Sequence, residues 1–228
     1  MRIGVLSDIH GNRVALEAVL DDLDGRDVDA LVHAGDVVGY NPWPAACLDA
    51  LRERGIPTVM GNHDRAVASG TAFRFNDMAR AGVEYAREQL SEEELEWLAD
   101  RPDERFEFDG RVHIVHGHPD DPDRYTYPGE FAADMIRGEA DVLVMGHTHV
   151  QGHAVFEDSE EGRKTIAMNP GGVGQPRDGD PRAAYAIVDL DAVDVEEYRI
   201  EYDVDRVIEA VREAGLPERI GLRLRNGR

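Results

Sequence analysis

Five short polar clusters, each following an apolar run, contain the residues of this chain best suited to chemistry. They combine carboxylate, imidazole and amide groups, which are ligand types that divalent transition metals accept in proteins. The clusters are Asp8-Ile9-His10, Gly35-Asp36, Gly61-Asn62-His63-Asp64, His116-Gly117-His118 and Gly146-His147-Thr148-His149. Each cluster alone is weak evidence, but their joint occurrence predicts a site that holds two metal ions.

The apolar runs before these clusters have the composition of buried strands. The predicted strands are Ile3 to Leu6, Ala30 to Val32, Thr58 to Met60, Val112 to Val115 and Val142 to Met145. In open α/β sheets, ligand sites collect at the carboxyl ends of strands. Five such ends would bring two Asp, one Asn and several His residues to one place.

The remaining pattern predicts an α/β fold with two β-sheets. Helices and strands alternate in the first third as βαβαβ, which indicates a parallel sheet, whereas the last third has shorter strands joined by turns. The further predicted helices are 12–23, 45–54, 76–90, 91–100, 130–137 and 204–214, and the further strands are 154–156, 164–168, 183–188 and 193–202. Ser91 and Glu94 form a predicted capping box at the start of one helix. Strands occur both in the βαβαβ part and in the part with shorter strands joined by turns. We therefore expect two facing sheets with helices outside.

Composition places limits on the class of protein. The chain has 228 residues and 42% hydrophobic residues, so we expect a single domain over residues 1–228. The formal net charge is −22, and Lys164 is the only lysine. This balance predicts a halophilic protein, since molar salt screens surface repulsion; an acidic protein from a GC-rich genome is the alternative. No basic stripe is present, so we expect no surface for a nucleic-acid polymer.

The location and assembly of the chain are predicted from few features. Cys47 is alone, which excludes an internal disulfide and favours a reducing cytoplasm. The chain enters its first strand without a leader, and no apolar stretch could cross a membrane. Exposed residues near Trp43, or between Tyr125 and Phe131, could support a homo-oligomer.

The order of the motifs resembles that of calcineurin-like metallophosphoesterases. These motifs are Asp-x-His, Gly-Asp-x-x-Gly, Gly-Asn-His-Asp, a lone His after a strand, and Gly-His-x-His, and the resemblance covers essentially the whole chain. The segment from Asn169 to Arg177 and the C-terminal helix are similar to the small prokaryotic phosphodiesterase branch. The resemblance implies a four-layer αββα sandwich with two facing mixed β-sheets, in agreement with the two-sheet pattern.

The resemblance also implies roles for individual residues. One metal would be held by Asp8, His10, Asp36 and His149, and the other by Asp36, Asn62, His116 and His147. Asp36 would therefore bridge the two ions. His63 would face the leaving group as general acid, with Asp64 orienting it. Mn²⁺ is the favoured metal, and Ni²⁺, Fe, Zn²⁺ or Co²⁺ would also suit these ligands.

The implied activity is hydrolysis of small phosphodiesters by a metal-activated hydroxide. A phosphomonoesterase, a dinucleoside polyphosphate hydrolase and a scaffold without activity remain alternatives, although retention of all seven ligand positions argues against the scaffold. His118 could replace His116 as ligand, but His116 directly continues its strand. The loop from Gly171 to Gly174 could cradle a phosphate, although a tight structural loop is the commoner case. Arg13, Arg65 and Arg177 could each reach a phosphate, and the sequence does not distinguish them.

Overall fold

The structure is a computed structural model that describes residues 1–73, 75–157 and 162–228. Nine strands and seven α-helices lie within these ranges. The strands are β1 (Arg2–Leu6), β2 (Ala30–His33), β3 (Glu104–Glu107), β4 (Val112–Val115), β5 (Val142–Val144), β6 (Gly152–Glu157), β7 (Lys164–Asn169), β8 (Ala183–Asp189) and β9 (Asp194–Ile200). The helices are α1 (Arg13–Asp24), α2 (Pro44–Glu53), α3 (Asn62–Ser69), α4 (Asp77–Gln89), α5 (Glu92–Ala99), α6 (Val204–Glu213) and α7 (Arg219–Leu222).

The strands form two mixed sheets. The first has the order β2-β1-β8-β9, with β1 and β2 parallel and the other pairs antiparallel. The second has the order β3-β4-β5-β7-β6, with a parallel centre of β4, β5 and β7 between antiparallel edges. The predicted fold of two mixed sheets with helices is confirmed.

The two sheets face each other across one apolar core. Ile3 and Val5 of β1 lie in the same buried cluster as Ile114 of β4, Val144 of β5 and Met168 of β7. This is the packing expected when alternate residues of each strand point into the space between two sheets. The sandwich brings the carboxyl ends of β1, β2, β4 and β5 to the same edge of the molecule.

The outer faces of the sheets are covered differently. Leu6 and Ile187 of the first sheet pack against Leu16 of α1, Leu48 of α2 and other helical residues. The outer face of the second sheet is covered by the segment around residues 128–136, including Phe131, Met135 and Ile136. The predicted helix at 130–137 is wrong, because this segment contains only two 3₁₀ turns, Pro128–Glu130 and Ala133–Met135. Phe131 and Ala132 are extended and interrupt the segment between the two turns, which lets Phe131, Met135 and Ile136 all pack on the second sheet.

The predicted third strand, Thr58 to Met60, is also wrong. Thr58 forms a single parallel bridge with His33, and the backbone then turns away, because the Met60 N–H donates to the Pro102 carbonyl at 2.7 Å. Three of these elements were not predicted from the sequence: the edge strand β3, the helix α3 and the short C-terminal helix α7. Within the described ranges no helix is long and apolar enough to cross a bilayer.

Candidate metal centre

The loops after β1 and β2 continue side by side beyond the strands. The Asp8 N–H donates to the Gly35 carbonyl at 3.0 Å, and the His10 N–H donates to the Asp36 carbonyl at 2.9 Å. The loop after β5 joins them, since the His147 N–H donates to Asp8 Oδ2 at 3.1 Å. These backbone contacts bring the polar clusters of both sheets together.

One group of candidate ligands consists of Asp8, His10 and His149. Their ligand atoms lie within 4.8 Å of one another. His149 Nε2 lies 3.3 Å from Asp8 Oδ1 and 3.2 Å from His10 Nε2. Asp8 Oδ1 is buried and has no hydrogen-bond partner among the described residues, whereas Oδ2 accepts from Ser7 and His147. A buried carboxylate oxygen without a donor is costly unless a cation faces it.

The second group consists of Asp36, His116 and His147. His116 Nε2 lies 3.3 Å from Asp36 Oδ2 and 3.2 Å from His147 Nδ1. The amide oxygen of Asn62 lies 3.2 Å from the same His116 nitrogen. All seven residues that the sequence suggested as ligands therefore lie in two adjoining groups.

Asp36 lies between the two groups. Its Oδ2 is 3.5 Å from His10 Nε2 and 3.3 Å from His116 Nε2. Burial alone would raise the pKa of Asp36, but the neighbouring imidazoles, above all His116, hold it well below its usual range. Asp36 is thus an ionised carboxylate at the position that a bridging ligand requires.

The orientation of the imidazole rings fits metal ligands. The Nδ1 atoms of His10, His116 and His149 lie against the carbonyls of Val38, Ala34 and Gln175 at 3.1, 2.7 and 2.6 Å. These carbonyls accept a hydrogen bond from Nδ1–H and leave the Nε2 lone pair directed into the cluster. His147 is reversed, with Nε2 against the Asp123 carbonyl at 3.1 Å and Nδ1 inward. Ring nitrogens whose lone pairs converge at about 3 Å repel each other unless a cation lies between them.

Burial favours the neutral form of most of these imidazoles. It lowers the pKa of His147 to about 3 and those of His10 and His149 well below their usual range. His116 differs, because burial would lower its pKa but the charge and hydrogen bond of Asp36, the charge of Asp8 and the Ala34 carbonyl together raise it to about 9. Burial also raises the pKa of Asp8 to about 7. Cations bind neutral imidazoles and ionised carboxylates, so bound metal ions would favour the ligand forms.

His63 borders this cluster without a hydrogen bond to its Nδ1 from the described residues. Its ring centroid lies 4.7 Å from that of His10, 4.6 Å from that of Tyr40 and 4.5 Å from that of Phe75. Together with His10 and Asp36, it forms a third group of possible ligand atoms within 4.8 Å. Burial lowers the pKa of His63 to about 4.

Asp64 has a different position from the one predicted. Instead of contacting the His63 ring, its carboxylate accepts from the backbone N–H groups of Asp36, Val38 and Gly61 at 2.8, 3.1 and 3.2 Å. It is the third residue of α3, where a carboxylate commonly satisfies free amides. Asp64 thus fixes the start of α3 to the Asp36 loop and positions His63 through the backbone.

The structure places His116, and not His118, in the cluster. His118 Nδ1 accepts from the Asp120 N–H at 3.0 Å on the adjoining turn. The loop from Gly171 to Gly174 is a structural support, because the N–H groups of Val173 and Gly174 donate to the carbonyls of Ser7 and Asp8. These two amides are therefore not available to a phosphate.

The family of the chain follows from comparison with known proteins. A model described as the calcineurin-like phosphoesterase superfamily domain matches residues 1–193. The chain belongs to the calcineurin-like phosphoesterase superfamily. This confirms the family that the motifs suggested.

Similar proteins include characterised and structurally determined members of this superfamily. A metallophosphoesterase from Sphaerobacter thermophilus is 37% identical with a TM-score of 0.84, covering 100% of this chain and 99% of that one. An uncharacterised protein of Methanocaldococcus jannaschii is 32% identical over 99% of this chain and 98% of its own length. Phosphodiesterase YfcE of Escherichia coli strain K12 is 27% identical over 86% of this chain and 91% of its own length.

Two residues that support this candidate site were not predicted from the sequence. Asn169 Nδ2 donates to the Gly146 carbonyl at 2.6 Å and to Thr148 Oγ1 at 3.0 Å, which fixes the loop that carries His147 and His149. Tyr40 is buried against His10 and His63. An Asn at the end of a buried strand was a usable signal for Asn169. No sequence pattern predicted the position of Tyr40, because that position depends on the path of its loop.

Proposed function

We propose that the chain is a dinuclear-metal phosphodiesterase acting on small phosphodiesters. The observation that carries this proposal is the position of Asp36 Oδ2, within 3.5 Å of ring nitrogens from both groups of ligands. Two divalent ions held by the seven ligands would supply a hydroxide near neutral pH and neutralise charge on the phosphoryl oxygens. Mn²⁺ is the ion that we propose, since imidazole, carboxylate and amide oxygen together suit it.

The protein's own residues have three tasks in this proposal. Asp36 keeps the two half-sites at a fixed separation, and its backbone is held by Asp64. Carbonyls of Val38, Ala34 and Gln175 orient the imidazoles. His63, beside the cluster, donates a proton to the leaving group, and the charge of a bound phosphate would raise its pKa for that purpose.

The choice of diesters is supported by the phosphodiesterase among the relatives. The wider setting that we propose is a cytoplasmic enzyme with small phosphate-ester substrates and no surface for nucleic-acid polymers. The formal net charge of −22 supports the latter point, because a polyanion would be repelled away from the site.

A substrate panel tests the function directly. The metal-loaded protein, with Mn²⁺ at high salt, would be assayed on bis-p-nitrophenyl phosphate, p-nitrophenyl phosphate, cyclic nucleotides and dinucleoside polyphosphates. We expect the highest kcat/KM on a diester and two metal ions per chain by elemental analysis. A monoester or polyphosphate rate well above the diester rate would overturn the diester assignment. Fewer than one ion after reconstitution would instead indicate a scaffold.

A further inference from the structure

We propose that Arg177, which lies beside the metal ligands, binds the substrate phosphate. This proposal rests on the proposed function and names a recognition residue for its anionic substrate. Arg177 follows the loop from Gly171 to Gly174, and its backbone N–H donates to the carbonyl of His149 at 3.2 Å. Its main chain is therefore fixed directly to a candidate ligand.

Two tyrosines place the Arg177 side chain over the cluster. Its Nη2 lies 3.5 Å from the Tyr40 hydroxyl, and the Tyr40 ring is 4.9 Å from that of His10. The Tyr125 ring lies 4.0 Å from that of His147. Burial raises the pKa of the Tyr125 hydroxyl, and the charge of the nearby Arg177 opposes this rise. The guanidinium is thus beside aromatic residues that border both half-sites.

The charge of Arg177 is not neutralised by an acidic neighbour. In the ranges that the structure describes, its side-chain partners are neutral: Gln175 Oε1 at 2.7 Å and the Tyr40 hydroxyl. The other two arginines that could have reached a phosphate are both paired. Arg13 lies 3.4 Å from Glu17, and Arg65 lies 2.8 and 2.9 Å from two aspartates.

A cation at this position works against metal binding. The guanidinium lies 3.5 Å from the hydroxyl of Tyr40, whose ring is 4.9 Å from that of His10, so a fixed positive charge stands near the position of two dications and repels them. A site that served only to hold two dications would be more stable with a neutral residue there. An anion lying between the guanidinium and the metals reverses this repulsion. Arginine also suits phosphate, because its N–H groups can donate to two oxygens at once.

Replacing Arg177 by Gln tests the proposal, because substrate binding should weaken whereas metal binding should not. For R177Q we expect KM for bis-p-nitrophenyl phosphate and the inhibition constant of inorganic phosphate to rise about ten- to a hundred-fold. Metal affinity, measured by calorimetry on the metal-free protein, should be unchanged or tighter. R177K should recover part of the phosphate binding, since it restores the charge without the paired donors.

Arg13→Gln is the matched control, because it removes an arginine whose charge Glu17 already neutralises; its KM and phosphate inhibition should equal those of the wild type.

Loss of metal in R177Q together with weaker phosphate binding would show a structural role and overturn the proposal. Unchanged KM and phosphate inhibition would overturn it as well. If the wild type hydrolyses no ester, calorimetry can still measure the affinity of the metal-loaded wild type and R177Q for inorganic phosphate. Binding that depends on Arg177 would then support this inference while the proposed function failed.

Discussion

Five of the candidate ligands adopt left-handed backbone conformations. The φ angles are 53° at Asp8, 48° at His10, 62° at Asp36, 67° at His147 and 58° at His149. Asp and His tolerate this region better than most residues, but each such residue still costs on the order of 1 kcal/mol. The fold holds them there through the hydrogen bonds between neighbouring loops. The strain is concentrated at the residues that would bind metal, where it directs successive side chains into one cluster.

His63 gives the prediction that belongs to the single residue. If it protonates the leaving group, H63A should lower kcat about 10²- to 10⁴-fold for a diester with an alkyl leaving group. The loss should be much smaller for p-nitrophenolate, which leaves without protonation. Steady-state kinetics on both substrates, with bound metal measured for each variant, makes this comparison.

A matched control for His63 is His118→Ala, which removes a buried imidazole that contacts Asp120 outside the cluster. It should change neither rate appreciably. If H63A retains its metal and hydrolyses the alkyl diester at nearly the wild-type rate, His63 is not the general acid.

Much of the residue-level site could be predicted from the sequence, because polar groups after buried strands must find partners. The positions of Asp8, His10 and Asp36 follow from this rule and from the motif order. The sequence could not show that Asp64 binds backbone amides, since a carboxylate one residue after His63 suggests a side-chain contact equally well. It also could not single out Arg177, because its distinction is that no carboxylate of the described residues forms a salt bridge with it.

At the level of elements, the packing of α4 against the Tyr40 loop supports the site. Gly82 of α4 lies directly against Tyr40, so that an added Cβ would meet the Tyr40 backbone nitrogen and lie 2.5 Å from its Cα. The next residue, Asn41, donates from its backbone N–H to the His10 carbonyl at 3.0 Å. A displacement of this loop would therefore reach a ligand.

Gly82→Ala should destabilise the protein, although this change inside a helix is ordinarily stabilising by about 0.5–1 kcal/mol. The clash with Tyr40 should cost about 1–3 kcal/mol, as overpacking commonly does. We expect a lower urea midpoint and weaker metal binding, measured by unfolding and calorimetry. Gly129→Ala is the control, since its added methyl would meet nothing within 4 Å. A G82A protein as stable as the wild type would show that α4 does not constrain the loop.

The accuracy of the predicted elements depended on the clarity of their local signals. The capping box of α5 is confirmed, since Ser91 and Glu94 bond each other's backbone N–H groups. Helix α3 was missed because its start coincides with the polar cluster, although Gly61 followed by Asp64 three residues later was a usable signal. Edge strand β3 is only partly buried and contains three charged residues, so its pattern resembled a loop.

At the scale of the whole molecule, a strongly acidic protein surrounds the site that we propose for metal ions and a phosphate ester. The net charge of −22 could be calculated from composition alone, but the difference in charge between the site and the rest of the molecule could not. Metal ions and Arg177 would make the cluster locally positive within a negative molecule. A phosphate ester would then be attracted only near the site, and this attraction should weaken as salt screens it.

The same net charge predicts that the fold is more stable in concentrated salt. In about 0.01 M salt the Debye length is roughly 30 Å, so excess carboxylates repel one another across the molecule; at 1 M it is roughly 3 Å and this repulsion is screened. We expect the thermal unfolding midpoint of the metal-loaded protein to rise steadily with KCl. In a variant with the exposed residues Glu88, Glu139 and Glu209 replaced by Gln, the midpoint should rise less with KCl, because there is less charge repulsion for the salt to screen. A midpoint in dilute buffer equal to that in molar KCl would rule out halophilic adaptation and leave the acidic composition without a role in stability.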